Sequence, residues 1–238
     1  IATHQPEVLS AGAIDAALDF AMERNSSSVV ITVDGSIVAE RHADLQSPGF
    51  IYRNMMHGKS SQGHQIEDVA SVQKSIVSVL IAVALQKGLL KIDDPVHKYL
   101  GVRWSKATPQ QESAIQLRHL ISMTSGLNNK LEYDSPAGSK WAYNTTAYAK
   151  SFEAVLKVAG ESRNEVTRQW LTEPLKMNDS KWVKRKSLRR DSGSAYGFAT
   201  TARDLARFGS LMLNNGRWDG VVIVDNPGYL AASTTSSQ

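Results

Sequence analysis

Residues 68–90 read DVASVQKSIVSVLIAVALQKGLL. Val72, Ile76, Val77, Val79, Leu80, Ile81, Val83, Ala84 and Leu85 surround a helix of about four turns almost completely, and Gly88 is placed to end it. A helix without a polar face of any width belongs in the middle of a domain. The run is too short and too soon interrupted to cross a bilayer, which needs about 20 apolar residues. Ser71 and Lys74 sit in its first turn, three apart and so on one face. Two readings of this pair stand level on spacing alone. In one, Ser71 is an N-cap and Lys74 a stray cation. In the other, Ser71 is a nucleophile and Lys74 its proton acceptor. A capping box asks for Glu or Gln where Lys74 stands, and a cation there opposes the helix dipole at a cost of about 0.3–1 kcal/mol when exposed. The face of Lys74 continues through Ser78 and Ile81, which makes an escape of the ammonium to water awkward.

The rest of the chain bounds the answer. Its 238 residues suffice for one full core, expected as a single domain with an α/β lobe near 1–70 and 190–238 and a helical lobe near 90–185. The absence of cysteine excludes disulfides, thiolate metal sites and a cysteine nucleophile. The net charge of +4 is local: residues 181–190, KWVKRKSLRR, hold six of the 27 Lys and Arg and no acid, leaving 21 against 23 Asp and Glu elsewhere. A solvated loop is the plain reading of that decapeptide, contact with an anionic surface the sharper one, and no nucleic-acid partner is expected. The chain begins at Ile1, so a leader or tag is expected to have preceded it, although nothing present resembles a signal peptide.

Along the chain, residues 12–24 suit an amphipathic helix with Ile14, Ala17, Leu18 and Met22 in one stripe. Residues 28–33 and 36–40 alternate around Asp34-Gly35, a strong hairpin signal. Residues 43–66 lack periodicity and are expected as a long loop; the Gly58-Lys59-Ser60 within them has Arg53 where a phosphate loop needs glycine. Further helices are expected at 116–123, 146–159, 161–172 and about 199–213, a short strand at 221–224, and an unstructured tail from 233.

Several chemistries lack support. The six histidines form no HExxH and no i, i+4 pair, so no metal is expected. No G-x-S-x-G elbow and no G-x-G-x-x-G are present, which argues against a Ser-His-Asp hydrolase of the α/β type and against a dinucleotide cofactor. Three Asn-x-Ser/Thr triplets, at Asn25, Asn144 and Asn178, matter only in a eukaryotic secretory setting. What remains is Ser71 with Lys74.

Around that pair, residues 68–94 with Pro95-Val96 and Tyr99-Leu100 resemble the opening block of the serine β-lactamase-like family. It contains class C β-lactamases, penicillin-recognising D-peptidases, esterases and 6-aminohexanoate-dimer hydrolases. LRHLISMTSGL (117–127), PAGSKWAYNTTAY (136–148) and YGFATTARDLARFGSLML (196–213) are similar to three later blocks in the family's order. The resemblance implies an α+β fold, an antiparallel sheet flanked by helices plus an all-helical subdomain. It also implies Ser71 as nucleophile, Lys74 beside it, Tyr143 as proton shuttle (with Tyr148 a competitor) and no cofactor. The family often reads Tyr-x-Asn where this chain has Tyr143-Asn144-Thr145, so the amide that would contact an acyl group is replaced by Thr145 or shifted to Asn144. That change suits an ester or small amide substrate better than a β-lactam. The second oxyanion donor comes, in the family, from a strand after a Lys/His-Thr/Ser-Gly motif; no KTG, KSG or HxG follows residue 190. The sheet is therefore expected to be incomplete here; the alternatives to an ester or small-amide hydrolase are a D-amino-acid peptidase or β-lactamase and, outside the enzymes, a truncated or non-catalytic ligand-binding relative. A periplasmic or secreted setting also follows only from the resemblance.

Overall fold

The computed structural model describes residues 10–45, 49–185 and 193–235. The chain opens with helix α1 (Ala11–Glu23), capped by Ser10, and hairpin β1 (Ser28–Val33) and β2 (Ser36–His42). Helix α2 (Phe50–Met55) and strands β3 (Met56–Lys59) and β4 (Gln65–Asp68) lead through a 3₁₀ turn, Ala70–Val72, into α3 (Gln73–Gln86). Three short helices follow: α4 (His97–Leu100), α5 (Pro109–Ser113) and α6 (Leu117–Ile121). Next are α7 (Thr145–Ala159) and α8 (Arg163–Thr167), the latter continuing as a π turn, Arg168–Thr172. Strands β5 (Lys181–Lys184) and β6 (Tyr196–Thr200) precede α9 (Ala202–Leu213), hairpin β7 (Arg217–Trp218) and β8 (Val221–Val222), and α10 (Pro227–Thr234).

The architecture is α+β. β3, β4, β6 and β5 form one antiparallel sheet in that order, and β1–β2 and β7–β8 are separate two-stranded ribbons. Asp34 and Gly35 both take positive φ, 49° and 78°, as the turn of a tight hairpin requires. α3 is the core of the helical part: Ile76, Leu80, Ile81, Ala82 and Ala84 are completely buried. Cutting Leu80 back to Ala there would cost about 2–5 kcal/mol. α3 packs against α7 and α10, and Gly88 (φ 70°) ends it. Trp182 of β5 joins the sheet to the helices, lying tilted against Phe152 of α7 and edge-on to Phe198 of β6 while its Nε1 donates to Thr167 Oγ1 at 2.8 Å.

Three expectations are corrected. Residues 43–66 are not one loop; they hold α2, β3 and β4. The basic decapeptide, read as a solvated loop, begins as strand β5 with Trp182 buried, while 186–190 lie outside the described residues. The tail expected to be unstructured starts inside α10, which runs to Thr234. No helix is long and apolar enough to cross a membrane among the described residues.

Candidate active site

Ser71 lies on a sharp strand–turn–helix junction. β4 ends at Asp68, Val69 N–H donates to Phe198 O of β6 at 2.9 Å, and Ala70 then takes a left-handed φ of 47°. A residue with a Cβ pays about 1–2 kcal/mol for that conformation. The surroundings fix it: Asp68 Oδ1 accepts the Ala70 N–H at 2.9 Å, and Val72 N–H donates to Val69 O at 3.0 Å. Ser71 does not cap α3, whose N-cap position is Val72 and carries no side-chain cap.

The Ser71 hydroxyl instead faces two functional groups. Lys74 Nζ donates to Ser71 Oγ at 3.3 Å and to Tyr143 OH at 2.8 Å, and Tyr143 OH donates to Ser71 Oγ at 2.7 Å. The three polar atoms form a closed triangle. Lys74 holds the Tyr143 phenol below the usual tyrosine range, helped by the Ser71 hydroxyl and partly offset by desolvation. The phenolate is the form that a neighbouring ammonium favours.

Asn144, expected to contact substrate, is spent elsewhere. It is buried, its Oδ1 accepts from Ala147 N–H at 2.9 Å as the N-cap of α7, and its Nδ2 donates to Leu127 O at 2.7 Å and Asn128 O at 3.0 Å. With every polar atom of the amide engaged, it anchors the backbone directly after Tyr143 and does not face the cleft. Thr145 does line the cleft. Tyr148, the competitor for the phenol role, is buried and donates to the Lys74 carbonyl at 2.8 Å, tying α7 to α3; burial raises its pKa.

The cleft over Ser71 measures about 600 Å³. Phe50, Ile51 and Met55 of α2 give it an apolar wall, and Ser71, Lys74 and Thr145 its polar floor. Arg185, counted in the sequence as part of a surface patch, lies within it: its guanidinium grips Asp68 through two hydrogen bonds, 2.5 and 2.6 Å. Sequence reasoning missed this pair, because the partners are 117 residues apart. The available signal was an acid placed three residues before the serine and followed by an apolar helix.

A second unforeseen cluster is Glu40, His42 and His64, whose ligand-type atoms lie within 4.8 Å of one another. It does not suit a cation. The two imidazoles stack face to face, 4.2 Å between centroids, so that no single ion lies in both ring planes, and Arg203 already holds Glu40 through both nitrogens of its fork.

Comparison with known proteins matches the Beta-lactamase family over residues 14–225. The chain belongs to that family. An uncharacterized protein of Alkalihalophilus pseudofirmus is 30% identical, the match covering 90% of this chain and 66% of that one. The octameric penicillin-binding protein homologue of Pyrococcus abyssi superposes with a TM-score of 0.66 at 17% identity, over 94% of this chain and 59% of its own. A D-stereospecific amidohydrolase from a Streptomyces species gives 0.59 at 19% identity, over 73% and 66%. The family's β-lactamase/transpeptidase-like fold is thus the fold of this chain, which spans about two thirds or less of the length of these relatives.

Proposed function

We propose that this chain carries the site of a serine hydrolase that cleaves carboxylic esters, and small amides second, through an acyl-enzyme on Ser71. The observation that supports it is the triangle of Ser71, Lys74 and Tyr143. Tyr143, as phenolate, takes the Ser71 proton while Oγ bonds to the carbonyl carbon. Lys74 remains an ammonium that donates to the phenolic oxygen and to Oγ, so it steadies negative charge on whichever atom bears it. The N–H of Ser71, at the positive end of the central helix, faces the developing oxyanion. Collapse breaks the bond to the alkoxide or amine, which takes the proton from Tyr143. Water then bonds to the acyl carbon while Tyr143 takes its proton; collapse breaks the bond to Ser71 Oγ, which takes that proton from Tyr143, and the acid leaves with the phenolate restored.

Esters rank above β-lactams because the side chain after the shuttle's neighbour is Thr145, and the amide of Asn144 is locked into the α7 cap. The Streptomyces relative's D-stereospecific amide chemistry makes D-amino-acid amides the natural comparison substrates. A fluorophosphonate probe is expected to add its mass to Ser71 and to leave Ser71→Ala unlabelled. p-Nitrophenyl butyrate is expected to turn over faster than a cephalosporin or a D-alanyl anilide. Ester turnover that survives Ser71→Ala overturns the assignment, and absence of both labelling and turnover leaves a ligand-binding relative.

A further inference from the structure

Beside the catalytic triangle lies a second, smaller cavity of about 110 Å³. Gln73, Lys74 and Thr145 line both it and the main cleft, so the two spaces share a wall at the reacting residues. At the cavity's side sits Arg163, the first residue of α8. Its guanidinium carbon is 4.7 Å from the Phe152 ring centre, 5.2 Å from Trp182 and 4.8 Å from Tyr196. Three aromatic rings make a good cage for a cation, yet a ring stacked on a guanidinium takes none of its five in-plane N–H donors.

Those donors have no protein acceptor among the described residues, which give Arg163 ring contacts and neither an ion pair nor a hydrogen bond. Glu153, the acid on the same cavity wall, is occupied by Lys150 at 2.8 Å. Burial weighs against the charge of Arg163, opposed by Glu153 and Tyr196. A half-buried guanidinium, held by rings and unpaired along its edge among the described residues, is pre-organised for a planar anion, which it meets through two parallel hydrogen bonds. Water's share of liquid volume is about 30 Å³, so the cavity has room for a carboxylate group on a short stem.

We propose that Arg163 is an anion subsite, which receives a carboxylate carried on a short apolar arm of the substrate, as in an ω-carboxyacyl ester whose carbonyl lies at Ser71. The identity of the cleaved bond rests on the hydrolase reading; the subsite does not. A plain packing role for Arg163 is the competing account, and it demands no preference for charge.

Two measurements separate them. In Ser71→Ala protein, tryptophan fluorescence is followed during titration with glutarate and with glutaramide, its neutral counterpart; Trp182 stands in the cage as reporter. A saturable change with glutarate and none with glutaramide is expected, with affinity weakened roughly tenfold or more by Arg163→Gln, the scale of one lost charged hydrogen bond. Arg163→Lys, which keeps the cation and the aromatic cage but not the fork, is expected to fall between. Equal responses to the two ligands, or equal glutarate affinity after Arg163→Gln, overturn the subsite. In active protein, the kcat/KM ratio of mono-p-nitrophenyl glutarate to p-nitrophenyl butyrate is expected to exceed one and to fall roughly tenfold in Arg163→Gln; a ratio indifferent to that change also overturns it. If neither ester is hydrolysed, the hydrolase reading fails while the glutarate titration still decides the subsite.

Discussion

Asp68 and Arg185 form a two-pronged ion pair directly beneath the turn that presents Ser71, the carboxylate 1% and the guanidinium 16% exposed. The carboxylate also accepts the Ala70 N–H, so one side chain couples strand β5 to the left-handed residue before the serine. Gly197 makes the space: a Cβ there would stand 1.9 Å from Asp68 Oδ2. Removing one partner of a buried pair leaves the other charge uncompensated, which costs about 3–5 kcal/mol. Arg185→Met is therefore expected to lower the urea midpoint by a stability loss of that order. It is also expected to slow fluorophosphonate labelling of the protein that remains folded, because the Ala70 turn is then unsupported. Gly197→Ala is expected to do the same by displacing the carboxylate. Unchanged stability in both variants would show that the pair is not what holds the turn.

The hydroxyl of Tyr143 is expected to set the basic requirement of catalysis. Its pKa is lowered chiefly by Lys74, so the phenolate appears at a lower pH than in free tyrosine. If phenolate is the active form, kcat/KM for an ester rises with pH and levels off below the ordinary tyrosine value. Tyr143→Phe is expected to lower kcat by about 10²–10⁴, the usual worth of a positioned acid–base group, with KM little altered. Lys74→Met is expected to move the rising limb to higher pH as well as to reduce the plateau. A limb that stays in place after Lys74→Met would assign it to another group.

How much of this was legible depended on how local the cause was. The central helix is written in the side chains of Ile76 to Ala84, and the first hairpin in Asp34-Gly35, since both signals act within a few residues. β4 was not legible: Gln65–Asp68 is polar, and its partner β6 pairs Glu67 with Thr200, far along the chain. The Ser71–Lys74 pairing follows from helical spacing, whereas Tyr143 stands 72 residues away and came only through resemblance. Asn144 misled because the resemblance asks for an amide close to Tyr143, and this one is instead the N-cap of α7. Arg185 misled because a charge run reads as solvated surface, and its buried partner lies on another strand.

Asn144 is expected to act through geometry and stability. Replacing it with Ala removes an N-cap, worth about 0.5–2 kcal/mol, and leaves the Leu127 and Asn128 carbonyls without its two donors. A fall in thermal midpoint is expected, together with a lower kcat from a displaced Tyr143. Asn144→Asp keeps the cap and loses the donors, so it is expected to recover part of the stability only. Thr145→Ala, by contrast, removes a cleft group and is expected to change the ranking of acyl chains with little change in melting.

Glu40 and Arg203 give the fold a defined response to acid. Arg203 of α9 reaches across to Glu40 of β2, and this, with a smaller contribution from His42, lowers the Glu40 pKa from 4.5 to about 2 against the opposing effect of desolvation. A carboxylate whose folded pKa lies below its unfolded value contributes stability in full above the unfolded value, and that contribution is lost as pH falls toward the folded one. The window is therefore about pH 4.5 down to about 2. His64 works in the same sense at higher pH: burial, chiefly, lowers its pKa, so its neutral form favours folding and stability is lost as pH drops below the ordinary histidine range. Arg203→Met is expected to flatten the dependence of the urea midpoint on pH in the lower window and leave the histidine step in place. Hydrogen exchange should then show hairpin β1–β2 opening ahead of α3, since the Glu40 contact with α9 is one of its ties to the rest of the chain. An Arg203→Met profile that parallels the parent through the lower window would remove this pair as the source of the acid response.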